Sequence, residues 1–78
     1  MNIEDKVISI VRTNTEEKEP VLLTTDLRKE LRLDSFGTLM LINALEESFG
    51  IAVEEADFSR INTVSDIVSL LQGKYHCA

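Results

Sequence analysis

The run from Ser35 to Phe49, opened by Asp34 and closed by Gly50, constrains the fold of this chain more than any other segment. Leu41, Ile42, Leu45 and Phe49 recur at the spacing of one helical face. Aspartate is a favoured N-cap, and glycine just past the last periodic residue ends a helix without strain. The spacing therefore predicts a helix over residues 35–49, the strongest amphipathic helix in the chain, with that face in a core. Phe36, Leu39 and Met40 fall off it, beside Asn43 and Glu47. Either the long preceding loop folds over this second apolar surface, or the surface is left for a partner.

The other segments follow from the same logic. Ile3, Val7, Ile10 and Val11 mark a first helix from residue 3 to about residue 12, with Asn2 as its cap. Residues 13–19 hold no apolar side chain and precede Pro20, so they read as a solvated loop. In its continuation Leu22, Leu27, Leu31 and Leu33 are expected to anchor in the core, and Thr25-Asp26 to cap a short turn over residues 27–31. Ile51 and Val53 are expected to plug the next loop into the core. Residues 54–58 read as a short helical turn, with Phe58 and Ile61 inward. Thr63 and Asp66 form a capping-box pattern opening a last helix with Val64, Ile67, Val68 and Leu71, which stops near Gly73. No segment alternates convincingly with period 2. The expected fold is all-α: a small four-helix bundle of three main helices and one short one, with a long first loop. Its core is expected around Val7, Val11, Leu27, Leu31, Leu41, Leu45, Phe49, Ile61 and Ile67.

Composition narrows function mainly by exclusion. At 78 residues the chain reads as a single domain, residues 1–78, near the size at which one core suffices without disulfides or metal. Its one cysteine, Cys77, allows no internal disulfide. No apolar run reaches the roughly 18 residues of a membrane helix, and the N-terminus lacks signal-peptide character. A cytoplasmic protein with no membrane partner is expected. Fourteen acidic against eight basic residues give a net charge of −6, which argues against nucleic acid and favours basic protein partners.

Few residues could carry chemistry. His76 and Cys77 are adjacent in a tail expected to be disordered, without the third group that a nucleophile pair needs. Glu16-Glu17, Glu46-Glu47 and Glu54-Glu55 are sequence neighbours that point different ways, and read as solvated surface with no metal. No Gly-x-Ser-x-Gly and no glycine-rich phosphate loop is present. The chain reads as a non-catalytic protein. Ser35 stands apart, because a hydroxyl at a helix N-terminus sits among unpaired N–H groups that favour a phosphate or phosphodiester.

Leu33-Asp34-Ser35-Phe36 at a helix start, then Leu41-Ile42-Asn43-Ala44-Leu45-Glu46-Glu47-Ser48-Phe49-Gly50, a short acidic turn and Ile61-Asn62-Thr63-Val64, resembles an acyl carrier protein. The family hallmark is Asp-Ser-Leu, matched here by Asp34-Ser35-Phe36. The resemblance implies 4′-phosphopantetheine held as a phosphodiester on Ser35, with Asp34 assisting a phosphopantetheinyl transferase and its Mg²⁺. It implies that Phe36, Leu39, Met40, Glu46 and Glu47 meet partner enzymes, which load and process the acyl group, and a monomer is expected. Members serving bacterial fatty-acid synthesis carry acidic residues where this chain has Gly37 and Met40, and they lack the basic group Arg28, Lys29 and Arg32. These departures point to a specialised pathway such as polyketide assembly. A housekeeping fatty-acid carrier, a peptidyl carrier and a helical adaptor without a prosthetic group remain the alternatives.

Overall fold

A computed structural model describes residues 2–15 and 20–77. Four helices run in order: α1 (Ile3–Thr13), α2 (Ser35–Phe49), α3 (Glu55–Phe58) and α4 (Val64–Gly73). The expected bundle is the observed one. The described residues contain no strand, only an isolated bridge between Asp26 and Thr63.

The three longer helices each begin where a side chain satisfies free N–H groups of the first turn, whereas α3 has no side-chain cap. The Asp5 amide donates to Asn2 Oδ1 at 2.8 Å, and the Gly37 amide to Asp34 Oδ1 at 2.7 Å. At α4 the capping box is reciprocal: the Asp66 amide donates to Thr63 Oγ1, and Asp66 Oδ2 accepts from the Thr63 amide at 3.0 Å. Gly50 ends α2 in the left-handed region at φ 65°, which glycine adopts at little cost. At the far end of α4 the left-handed residue is His76, φ 55°, and not Gly73.

α1 packs against both α4 and α2. Ile3, Val7 and Val11 from α1, Leu41, Ile42 and Leu45 from α2, and Val64, Ile67, Val68 and Leu71 from α4 form the buried centre, closed by Phe58 and Ile61. α1 is the helix most sharply divided into apolar and polar sides. α2 is not the most amphipathic helix, contrary to expectation, because it is apolar on two faces. Phe49, expected in the core, is only half-buried at its edge, where the Lys6 ammonium lies 4.5 Å from its ring centroid and donates to the Ser48 carbonyl.

The loop ahead of α2 is well tied. Leu27 and Leu31 are buried as expected, and Asp26 Oδ1 accepts from the Arg28 and Lys29 amides to close the turn. Leu22, however, is 58% exposed and is not a core residue. Its amide donates to Thr25 Oγ1 in a tight turn that directs Leu22 outward, while Val21 is buried and Leu23 packs at the core edge. Leu33, Ile51 and Val53 likewise pack partly buried against the core. The loop is stitched to the α3–α4 junction by Leu27 N to Asn62 O (2.8 Å), Val64 N to Thr25 O (3.1 Å) and Ser65 N to Leu23 O (2.8 Å). Of the loop read as solvated, residues 16–19 lie outside the described residues, and Thr13 belongs to α1.

The tail is also more ordered than the sequence implies. Tyr75 and Cys77 pack against the core, and the Cys77 amide donates to Leu71 O at 2.8 Å. Tyr75 Oη accepts from the Glu54 amide at 3.0 Å and donates to Asp57 Oδ2 at 3.1 Å. Lys74 pairs with both Glu54 and Asp57. These contacts latch α3 to the end of α4.

Candidate functional site

The N-terminus of α2 gathers the residues singled out by the sequence. Asp34, in extended backbone conformation, turns its carboxylate onto the Gly37 amide, so the cap is supplied by Asp34 and not by its neighbour. Ser35 is the first residue of the helix and is exposed. Its hydroxyl makes no hydrogen bond to any described residue. The result is a free nucleophilic oxygen at the positive end of a four-turn helix, beside backbone N–H groups that a phosphodiester can use.

Gly37 leaves space that this cap requires. A Cβ there would stand 3.2 Å from Leu33 Cδ2 and 3.3 Å from Asp34 Oδ1. The Leu33 side chain and the capping carboxylate therefore close tightly over the first turn.

Two grooves flank the serine. One, of about 860 Å³, runs between α2 and α3 and is lined by Ser35, Leu39, Ile42, Glu46, Val53 and Phe58 among others. The other, of about 540 Å³, lies towards the end of α1 and is lined by Asn14, Arg32, Leu33, Phe36, Gly37 and Met40 among others. Leu33 and Asp34 border both. Ser35 itself lines only the groove between α2 and α3.

The off-core face of α2 is open. Phe36 is 72% exposed, Leu39 55% and Met40 43%. Among the described residues, the preceding loop does not fold over them. Glu47 is fully on the surface, but Glu46 is half-buried and its Oε2 accepts from the Val53 amide at 2.9 Å, a contact that fixes the loop after α2. Arg28 is similarly engaged: its Nη1 donates to Ile61 O at 2.8 Å and Asn62 Oδ1 at 3.2 Å. Arg32 is missed by sequence reasoning as a special backbone position. It sits at φ 52°, left-handed for a non-glycine residue, and no local motif announces it.

His76 and Cys77 belong to the turn after α4 and gain no catalytic partner in it. No group of three or more His, Cys, Asp or Glu among the described residues is arranged to hold a metal ion. No helix among them is long and apolar enough to cross a membrane.

A capped helix start that exposes a serine, in a bundle of this topology, fits a carrier domain. Residues 5–71 match the family described as the phosphopantetheine attachment site. The acyl carrier proteins of Rickettsia typhi and Rickettsia prowazekii are each 35% identical over 72 residues, spanning 90% of this chain and 83% of theirs. A solved structure from Mycobacterium tuberculosis, assigned as an acyl carrier protein, superposes with a TM-score of 0.78 at 25% identity, covering 87% of this chain and 92% of that one. The chain belongs to the acyl carrier proteins, non-catalytic carriers whose covalent 4′-phosphopantetheine supplies a terminal thiol for acyl groups.

Proposed function

We propose that Ser35 carries the 4′-phosphopantetheine arm, and that residues 1–78 act as one carrier domain presenting acyl thioesters to loading and processing enzymes. The observation that carries this reading is the exposed, unbonded Ser35 hydroxyl on the first turn of α2, with the cap already satisfied by Asp34. In the attachment step Ser35 Oγ attacks the phosphorus next to the pantetheine arm of coenzyme A. The new O–P bond replaces the phosphoanhydride bond, adenosine 3′,5′-bisphosphate leaves, and the serine proton passes to a base of the phosphopantetheinyl transferase. Intact mass after treatment with such a transferase and coenzyme A is expected to rise by one phosphopantetheine in the native chain and not in Ser35→Ala. Equal modification of the alanine variant would remove Ser35 from this role.

Phe36, Leu39 and Met40 form the docking face in this reading, with Glu47 at its edge. Glu46 contributes mainly by holding the neighbouring loop through Val53. The pathway is a specialised one, polyketide or related natural-product assembly. Support comes from the first turn of α2, which has no acidic residue, and from apolar Met40 further along the helix. Mass spectrometry of acyl groups trapped on the arm in cells tests this. A predominance of straight-chain fatty-acyl intermediates would favour the housekeeping role instead.

A further inference from the structure

We propose that the phosphopantetheine arm, once on Ser35, lies back along the groove between α2 and α3 with Leu39 as its main apolar contact, leaving Phe36 and Met40 free for a partner. This rests on Ser35 as the attachment point and narrows the docking face, from which it withdraws Leu39. Helical geometry separates these residues. At about 100° per residue, Leu39 stands about 40° around α2 from Ser35, with Ile42 and Glu46 about 20° to either side of the serine. Phe36 and Met40 stand about 100° and 140° away. The two grooves divide the same residues in the same way: Ser35, Leu39 and Ile42 line the one of about 860 Å³, and Phe36 and Met40 line the other.

The groove that Ser35 lines has the walls such an arm needs. Ile42 and Phe58 are buried, so the core closes its base, while Leu39 stands 55% exposed along its α2 side. The opposite wall is fixed, because Glu46 Oε2 holds the Val53 amide at 2.9 Å and Tyr75 Oη joins the Glu54 amide to Asp57 across α3. From Ser35 to Glu46 the helix rises about 16 Å, comparable with the extended arm. Leu39 and Val53 offer apolar surface to the geminal methyl groups of pantetheine, and Thr38 and Asn43 offer a hydroxyl and a carboxamide to its amides. The arm is tethered beside the groove, so the contact is intramolecular and a weak affinity is enough to populate it. A partner seated on Phe36 and Met40 then finds the arm stowed on a neighbouring face and docks without displacing it.

The test uses the full chain loaded with phosphopantetheine whose geminal methyl groups are isotope-labelled. Nuclear Overhauser contacts from these methyls are expected to reach the side chains of Leu39 and Val53 and not that of Met40. Leu39→Ser, at an exposed position that folding does not need, should weaken the remaining contact to Val53 about threefold, and Leu39→Met should restore it. Leu22→Ser, at a similarly exposed leucine of the first loop, is the control and should change nothing. Contacts to Met40 in place of Leu39, no contact beyond the first turn of α2, or an equal loss from Leu22→Ser would overturn the proposal. Contacts that appear only as protein concentration rises would place the arm on a second copy and overturn it too. Loading is read separately by intact mass, so a chain that takes up the arm on Ser35 yet shows no contact along the groove refutes this inference and leaves the attachment reading standing. A chain that takes up no arm refutes both.

Discussion

Asp34 and Ser35 are adjacent, both polar and both exposed, yet only Asp34 caps the helix, so capping is separable from the attachment role proposed for Ser35. Asp34→Ala removes the one side-chain acceptor that the described residues give the α2 first turn, the 2.7 Å bond from the Gly37 amide. Loss of an N-cap costs about 1 kcal/mol, and the exposed site keeps the added dipole contribution at the low end of its range. For a domain of this size, with a total stability of about 4–12 kcal/mol, that is a large fraction and lowers Tm by about 4–8 °C. Ser35→Ala breaks no hydrogen bond to the described residues and introduces the best helix former, so its stability should lie within about 0.5 kcal/mol of the native chain. Asp34→Asn keeps an acceptor oxygen and should recover most of the loss. Thermal unfolding followed by circular dichroism, on unmodified protein, reads all three. If Ser35→Ala falls as far as Asp34→Ala, or if Asp34→Asn fails to recover, the division between capping and attachment is wrong.

Leu45 is 1% exposed at the centre of the bundle, so Leu45→Ala should lose about 2–5 kcal/mol in urea unfolding, whereas Leu45→Met should lose less than about 1.5 kcal/mol; similar losses for the two would place Leu45 outside a tightly packed core. The Asp66 carboxyl is held below its ordinary value of 3.8 by hydrogen bonds from the Asn62 and Thr63 amides. A lowered folded-state pKa means the contribution is complete above 3.8 and fades as pH falls below it, so the stability gap between the native chain and Asp66→Asn should shrink under acid, and a gap constant down to low pH would contradict this. Asp57, lowered chiefly by its hydrogen bond from Lys74, adds loss in the same direction. Tyr75→Phe removes the hydroxyl that joins Glu54 to Asp57, and hydrogen exchange at Glu54 and through α3 should quicken while α1 and α4 keep their protection; unchanged exchange in α3 would show that the latch is not what holds it.

Sequence alone determined the parts of this protein whose causes are local. The caps at Asn2, Asp34 and Thr63–Asp66, and the left-handed stop at Gly50, join residues within four positions of one another, and the stripes of α1, α2 and α4 are written in helical spacing. The serine at the start of α2 was legible for the same reason. Only the tertiary structure decided which leucine of the first loop turns inward, because the turn at Leu22 and Thr25 and the pairing of that loop with residues 61–65 select Val21 and Leu23 over Leu22. It also assigned Glu46 to the Val53 amide, Arg28 to the Ile61 carbonyl and Tyr75 to Asp57. Such long side chains can reach several partners, and the choice depends on what distant segments bring within hydrogen-bond distance, which no periodicity encodes. The open face of Phe36, Leu39 and Met40 was decided in the same way: helical spacing placed these residues off the core, but only the packing of the remaining chain could leave them uncovered.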